Sequence, residues 1–318
     1  MADVSTTKTV ERKRHSFWVD VFIRLVREKP LGTVGLVITL LLLITAIFAP
    51  WIAPYGMNQA HMADALQGPS AHYWLGTDNL GRDMLSRIIF GARISVIVGL
   101  AATSLGTIFS TIIGVASGYF GGTFDLIVQR FVDAVMCFPG LILLMVIMSL
   151  VGAGMLQIII VMGISGGINT SRVIRSAVIG LKENMYIQAA EATGASTIEI
   201  FTRHILPNIM PTIIVGFSTY LPGVILTEAA LSFLGYGIPP PAASWGGMLS
   251  TAGLEYMYLS PWIVVWPGLA LSITVYGVNM FGDGLRDILD PRMRGGIGRY
   301  GVKTKQTAAK VQQSSTGQ

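Results

Sequence analysis

The sequence is poor in charge and in cysteine. Only 12% of its 318 residues are Asp, Glu, Lys or Arg, and 52% are hydrophobic, whereas an average soluble domain has about 25% charged residues. This composition excludes an ordinary soluble fold. The single cysteine, Cys137, excludes an intramolecular disulfide framework and any multi-cysteine metal site. Because Cys137 lies in an apolar stretch, we expect a small buried side chain rather than a reactive thiol.

Several functional signatures are also missing. The chain has no G-x-x-x-x-G-K-[ST] phosphate loop, so the sequence predicts that it does not hydrolyse ATP by that route. No cluster of His, Cys or carboxylate residues lies in the apolar runs, so no metal site is predicted. Lys and Arg total 22 against 17 Asp and Glu. They lie between the apolar runs rather than in one patch, which argues against nucleic acid as a partner.

Six apolar runs are long enough to cross a bilayer core about 30 Å thick, which takes roughly 20 helical residues. The fourth run is charge-free only to residue 171, so we expect its inner end to be partly polar or shielded by neighbouring helices. Membrane helices tolerate the prolines and glycines inside the last two runs. The sequence predicts an all-α membrane protein with six transmembrane helices: 31–53, 94–119, 134–151, one from 155, 209–234 and 261–281.

The distribution of basic residues predicts the orientation. Nineteen of the 22 Lys and Arg lie before the first run, after the sixth, or between runs two and three or four and five. The other face has only Arg82, Arg87 and Arg93. Because cytoplasmic flanks are enriched in Lys and Arg, we expect both termini to lie in the cytoplasm. The protein itself is expected in the inner membrane of the cell. The first run is too long for a cleaved signal peptide and should remain as a span.

The two ends of the chain differ in character. In the leader, Phe17, Val21, Phe22 and Leu25 recur at helical spacing, which predicts a helix lying along the inner membrane face in contact with lipid. The tail from residue 295 is rich in Gly, Lys, Gln, Ser and Thr and is predicted to be disordered. The predicted organisation is a cytoplasmic leader, 1–30; a first span and extracytoplasmic loop, 31–92; a five-span core, 93–284; and a cytoplasmic tail, 285–318.

The longest internal loop on the predicted cytoplasmic side, 183–207, contains two predicted short helices. Ala189, Ala190 and Ala192 are strong helix formers, and Gly194 is a natural helix stop. A second helix is predicted from 197 to 206, ending at Pro207. An alanine-rich helix with a glycine turn presents a low-relief surface. This surface could pack on another protein or on the chain's own bundle, and the residues alone favour neither.

Four motifs occur in order along the chain. Residues 188–194, Q-A-A-E-A-T-G, are followed by R-H-I-L-P-N at 203–208 and resemble the conserved loop of the membrane subunits of ABC importers. With L-G-T-D-N-L-G-R-D at 75–83, T-E-A-A-L-S-F-L-G at 227–235 and G-D-G-L-R-D at 282–287, they resemble the permeases of the dipeptide, oligopeptide and nickel branch, specifically the C-type partner. The sequence departs from this pattern at Gln188, where the loop normally has Glu.

The resemblance implies a type I ABC importer permease fold that forms half of a pore for di- or oligopeptides. It implies a second permease subunit, an extracytoplasmic solute-binding protein that holds most of the selectivity, and two ATPase subunits that bind ATP and Mg. No cofactor is implied for this chain, and nickel transport is not separated from peptide transport. The loop residues that it assigns to coupling with the ATPases are Gln188, Ala189, Ala190, Gly194, Ile205, Leu206 and Pro207.

Glu228 is the one ionisable residue well inside a predicted span. Such residues are costly to bury and are functional candidates by default. The favoured interpretation is structural, with a hydrogen bond to a neighbouring helix or to the outer loop; a role in the transport pathway is the alternative. Asp83 and Arg87 are four residues apart and are predicted to pair and to shape the loop before the second span.

Two other classes of membrane protein are considered. Residues 163–167, G-I-S-G-G, match G-x-S-x-G, the motif of a serine nucleophile, which would suit an intramembrane protease. All four histidines lie outside the spans and no lysine lies inside one, so Ser165 lacks a general base and the motif is interpreted as close helix packing. A stand-alone secondary transporter usually carries several intramembrane charges, and here Glu228 is the only candidate.

Overall fold

The computed structural model describes residues 17–289, and within this range the chain is helical with no β-strand. Helices suit a bilayer because they satisfy their own backbone hydrogen bonds, which lipid cannot do. The helices are α1 Phe17–Glu28, α2 Pro30–Ile47, α3 Ala49–Ile52, α4 Met84–Phe120, α5 Gly122–Met136, α6 Gly140–Val151, α7 Met155–Lys182, α8 Met185–Ala192, α9 Thr197–Glu199, α10 Leu206–Phe233, α11 Trp245–Leu249, α12 Thr251–Tyr256 and α13 Trp262–Leu289; a π-helix, Ile200–Ile205, joins α9 to α10.

Five helical segments are long and apolar enough to cross a membrane, and the count is six if the bent pair α5–α6 is taken as one span. The predicted all-α architecture is therefore confirmed. Helices α2 and α10 begin at one end of the bundle, and α4, α7 and α13 finish there. We call it the basic end, because Lys29, Lys182 and Arg286 lie there. The other end, which carries the loops 53–83 and 234–261, is called the opposite end.

Three of the helices, α4, α7 and α13, are longer than the charge-free runs predict. Helix α4 begins at Met84 rather than at 94, because the carboxylate of Asp83 caps it and accepts a hydrogen bond from the Ser86 backbone N–H at 2.8 Å. Helix α7 continues past 171 to Lys182, and α13 past 281 to Leu289. Charged side chains end an apolar run without ending a helix, so hydropathy alone makes these three helices too short.

The third crossing is not the single straight helix predicted at 134–151. Helices α5 and α6 meet at 88°. The break falls just before Pro139, whose missing N–H and fixed ring disfavour a continuous helix through this point. Cys137 lies in the break and is exposed, so the expectation of a buried side chain is wrong. The bend is hidden because the charge-free run from 134 to 151 passes through it without interruption.

Small residues allow α7 to pack closely on α4. A Cβ atom added at Gly163 would lie 2.8 Å from Leu105 Cδ2, and one at Gly167 would lie 2.8 Å from the carbonyl oxygen of Gly106. The G-x-S-x-G match at 163–167 is thus a helix-packing motif, as predicted, because glycine lets the two backbones approach.

The amino-terminal span α2 is fastened to α13. A Cβ atom at Gly35 would lie 2.6 Å from the carbonyl oxygen of Gly277, so the two helices touch through glycine. Lys29 Nζ and Asp287 Oδ2 form an ion pair at 2.5 Å at the basic end of the same helix pair. Helix α1 buries Leu25 against the end of α13. The predicted basic leader before residue 17 and the predicted tail after 289 lie outside the described residues.

Candidate functional site

The segment 183–207 forms a compact turn at the basic end. Helix α8 confirms the first predicted short helix, and the chain then turns at Gly194 into α9 and the π-helix. The prediction that the second helix ends at Pro207 is wrong, because Leu206 and Pro207 open α10 and the chain stays helical from Thr197 to Phe233. Proline is tolerated in the first turn of a helix, where its missing N–H has no intrahelical partner.

Gly194 makes the turn after α8 possible. Its φ angle is +82°, in the left-handed region that favours glycine. The N–H groups of Gly194 and Ala195 donate to the carbonyl oxygens of Glu191 and Ala190 at 3.0 and 3.1 Å, which closes the end of the helix. A Cβ atom at Gly194 would meet no heavy atom within 4 Å. The requirement for glycine is therefore one of backbone conformation and not of space.

One side of the segment is anchored in the bundle. Ile187 is 0% exposed and packs in a buried cluster with Val178 of α7 and Ile209 of α10. Ile205, one of the residues assigned to coupling, is also 0% exposed and belongs to this cluster. It lies beneath the surface, whereas Leu206 and Pro207 are exposed. The segment is thus tied by apolar contacts to the ends of two membrane-spanning helices.

The segment also carries exposed apolar side chains. Met185 is 86% and Ile198 75% exposed, and Ala189, one turn after Met185 on α8, is exposed as well. Exposed apolar patches of this kind mark interaction sites. We call Met185, Ala189 and Ile198 the apolar face. Of the remaining predicted coupling residues, Gln188 and Gly194 are exposed and Ala190 is half-buried.

Met185 and Ile198 were not identified from the sequence. Met185 precedes Ala189 by one helical turn, and this spacing places the two on one side of α8, away from Ile187. That periodicity is the signal that could have found Met185. Ile198 lies in α9, beyond the turn at Gly194, so the helical spacing of α8 does not extend to it.

Ion pairs fasten α5 to α7 just before α7 leads into the segment. Arg175 Nε donates to Asp125 Oδ1 at 2.6 Å, its Nη2 contacts Asp125 Oδ2, and the Ser117 hydroxyl also donates to this carboxylate. Further along α5, Asp133 contacts Arg172. The bidentate geometry at Asp125 is the stronger kind of charge-assisted contact. These pairs join the basic ends of α5 and α7.

The loop at the opposite end is built around Asp78. Its carboxylate lies 2.6 Å from Arg82 Nε and 3.5 Å from Arg87 Nε, and Arg87 is buried. The predicted pair between Asp83 and Arg87 is wrong, because the Asp83 carboxylate is occupied in capping α4. These charged groups line a cavity of about 380 Å³ together with Pro239 and Pro240.

Two tryptophans join the loops of the opposite end. Trp245 Nε1 donates to the Ile88 carbonyl oxygen and Trp262 Nε1 to the Thr77 carbonyl oxygen, each at 3.1 Å. The Tyr73 hydroxyl donates to the Asp64 carboxylate at 2.9 Å, and this hydrogen bond raises the pKa of Tyr73. The loop regions are therefore a folded cap and not loose connections.

Glu228 is completely buried in α10. Its Oε1 accepts a hydrogen bond from the Ser232 hydroxyl at 2.8 Å, and that hydroxyl in turn accepts from the Ile238 N–H of the outer loop at 3.3 Å. Oε2 has no protein partner among the described residues. The expected link to the outer loop thus exists through Ser232, one turn away on the same helix. A structural role for Glu228 stays a prediction.

Comparison with known proteins places the chain in a family. Residues 106–295 match the family described as binding-protein-dependent transport system inner membrane component, and residues 16–69 match the N-terminal transmembrane domain of oligopeptide transport permease C. The fold is similar to that of a chain in the inward-facing MetNI methionine ABC transporter, with a TM-score of 0.53 and 19% identity over 65% of this chain and 98% of that chain.

Curated relatives extend this match over nearly the whole chain. The oligopeptide permease OppC of Bacillus subtilis is 40% identical over 92% of this chain and 95% of its own length. The dipeptide permease DppC of Alkalihalophilus pseudofirmus is 39% identical over 87% and 90%. The glutathione permease GsiD of Escherichia coli O157:H7 is 38% identical over 88% and 91%. The chain therefore belongs to the family of inner-membrane components of binding-protein-dependent transport systems, and is a permease subunit of an ABC importer.

Proposed function

We propose that this chain forms half of the translocation pore of an ATP-driven importer of di- or oligopeptides, and that the apolar face docks an ATPase subunit. The relatives named for oligopeptides, dipeptides and glutathione support the substrate class, since all three are peptides. The observation that carries the docking proposal is the apolar face itself, which lies at the basic end and is covered by none of the helices within residues 17–289.

The chemistry of the apolar face defines the kind of contact. The small side chain of Ala189 lets a partner approach the backbone of α8, while Met185 and Ile198 offer apolar side chains to a hydrophobic groove. Gln188 is uncharged and its amide donates to the Glu183 carbonyl oxygen at 3.5 Å. Docking on this face therefore rests on packing and not on a salt bridge at residue 188.

Docking would couple the ATPase to the pore through rigid contacts. Ile187 holds α8 in the buried cluster shared with α7 and α10, so a displacement of α8 is passed to the ends of both helices. Well-packed elements shift as units rather than deform. The ion pairs between α5 and α7 extend the same movement to the bent third crossing.

The proposed assembly contains this chain, a second permease subunit, two ATPase subunits that bind ATP and Mg, and an extracytoplasmic solute-binding protein. Both termini are proposed to lie in the cytoplasm, because nineteen of the 22 Lys and Arg lie in the sequence segments that a six-span topology places on one side of the membrane. No chemical step on the substrate is involved. The intramembrane protease and the stand-alone transporter are not favoured, since the related proteins are permease subunits of importers.

The docking proposal is tested by placing a large charge on the apolar face. Ala189→Arg in the full complex, purified through a tag on this chain, should lose the ATPase subunits while retaining the second permease. Ala71→Arg is the matched control, since Ala71 is equally an exposed alanine but lies in the loop at the opposite end. Recovery of the ATPase subunits with Ala189→Arg in the same amount as with the control would contradict the proposal.

The substrate proposal is tested separately by uptake into proteoliposomes. With the complex and its binding protein present, labelled di- and pentapeptides should accumulate in an ATP-dependent manner and radioactive nickel should not. Uptake of nickel without uptake of either peptide would overturn the peptide assignment and leave the ATPase docking untouched.

A further inference from the structure

Tyr119 occupies the point at the basic end where three elements meet. It lies in the last turn of α4, and its neighbours are the end of α7, helix α8 and the π-helix. It is half-buried at the edge of the apolar cluster that anchors the segment 183–207. Among the described tyrosines, only Tyr119 forms hydrogen bonds to both α7 and α8. Its hydroxyl donates to α8, and its backbone carbonyl oxygen accepts from α7.

Each part of Tyr119 has a specific partner. Its hydroxyl donates to Glu191 Oε1 at 2.9 Å, across 72 positions in the sequence. Its carbonyl oxygen accepts from Lys182 Nζ at 2.7 Å, and the same ammonium lies 5.1 Å from the centre of the tyrosine ring. The ring of Phe201 in the π-helix meets the Tyr119 ring edge-on at 4.8 Å and 90°.

Helix α8 is short and only weakly anchored by burial, and its other ring contact is that of Tyr186 with His204 at 6.2 Å. It is 8 residues long, too short to be stable as an isolated helix in water. Ile187 is its only buried residue. Glu191 follows Ile187 by four positions, which places both on one side of the helix. One anchor would let α8 pivot, whereas two anchors a turn apart set its direction.

We infer that Tyr119 is a positioning residue that holds α8 so that the apolar face points away from the bundle, and that it ties this orientation to the end of α4. The inference rests on the proposed docking function of the apolar face. Through Tyr119, movement of α8 reaches a third membrane helix besides α7 and α10. The contact is one hydrogen bond from the neutral Tyr119 hydroxyl to the Glu191 carboxylate. The Lys182 ammonium holds Tyr119 through its carbonyl oxygen.

The expected effect follows from the free energy that one hydrogen bond contributes. Losing it should shift the balance between held and released orientations of α8 by about two- to tenfold. Tyr119→Phe removes only the hydroxyl and keeps the ring contacts with Phe201 and Lys182. Assembly of the complex should therefore persist, while the number of peptides imported per ATP hydrolysed falls by a similar factor.

The experiment compares five variants of this chain in the complete complex with its binding protein, reconstituted in proteoliposomes with a labelled tripeptide as probe. Tyr119→Phe, Glu191→Ala and the double variant should all lower uptake per ATP equally, because each removes the same bond. Glu191→Gln keeps an acceptor oxygen and should restore most of the ratio. Tyr276→Phe is the control, since Tyr276 is 64% exposed on α13 and makes no hydrogen bond through its hydroxyl among the described residues.

An unchanged ratio in Tyr119→Phe, or losses that add in the double variant, would overturn the positioning role. Failure of the docking proposal has a different signature, because Ala189→Arg would then retain the ATPase subunits. If Ala189→Arg loses the ATPase subunits and Tyr119→Phe behaves like the parent, the apolar face docks the ATPase without help from Tyr119.

Discussion

Substitution of Gly194 gives a graded test of the turn that separates α8 from α9. Glycine is required there because φ is +82°, while the space around the residue is open. A non-glycine residue in the left-handed region costs about 1–2 kcal/mol. This corresponds to a roughly 5- to 30-fold loss in the population of the observed turn. Asparagine tolerates this conformation better than alanine, and a β-branched residue tolerates it least.

We therefore expect uptake per ATP hydrolysed to decrease in the order Gly194, Gly194→Asn, Gly194→Ala, Gly194→Val. The matched series at Gly180 tests side-chain size alone. Gly180 lies in α7, also has no heavy atom within 4 Å of an added Cβ, and has no positive φ. There, alanine should stabilise the helix by about 1 kcal/mol.

The assay is ATP-driven peptide uptake by the reconstituted complex, normalised to ATP hydrolysis and to the amount of assembled complex. The order of the Gly194 variants should follow backbone tolerance. An alanine variant equal to the parent, or the same order of loss at Gly180, would refute the role of the left-handed turn.

Three further predictions concern the rest of the molecule. Asp78→Asn leaves Arg87 buried without its carboxylate and should cost about 3–5 kcal/mol, seen as a lower midpoint of thermal unfolding in detergent; an unchanged midpoint would show that the pair is not structural. Glu228→Gln keeps an acceptor for Ser232 and should retain assembly and most uptake, so normal assembly with lost uptake would instead assign Glu228 to the pathway. Gly35→Leu forces a side chain into the contact with α13, and α2 should become sensitive to protease while the core stays assembled; continued protection would argue against the glycine contact.

The approximate positions of the long apolar helices could be predicted from the sequence, but their ends and the bend could not. Hydrophobic length is a direct physical requirement of the bilayer, so apolar runs reveal crossings. Helix ends depend on capping residues such as Asp83. Its carboxylate caps α4 at Met84, within a charged stretch that hydropathy assigns to a loop. The bend before Pro139 lies inside the charge-free run 134–151, so hydropathy does not reveal it.

The candidate site could be predicted only where its structure depends on neighbouring residues in the sequence. The alanines and Gly194 of the segment 183–207 carry local signals of helix and turn, and these are readable from neighbouring residues. Ile205 could not be recognised as buried, because its partners come from α7 and α10. The contact between Tyr119 and Glu191 joins residues 72 positions apart, so no local sequence pattern predicts it.

Site-specific cross-linking tests the central claim most directly. In a chain with Cys137 replaced by serine, a single cysteine at Ala189 should form a disulfide or short cross-link with an ATPase subunit of the native complex. A single cysteine at Ala71, at the opposite end, should not. A cross-link from residue 189 that joins only this chain to itself or to the second permease, in a complex that still transports, would contradict the account.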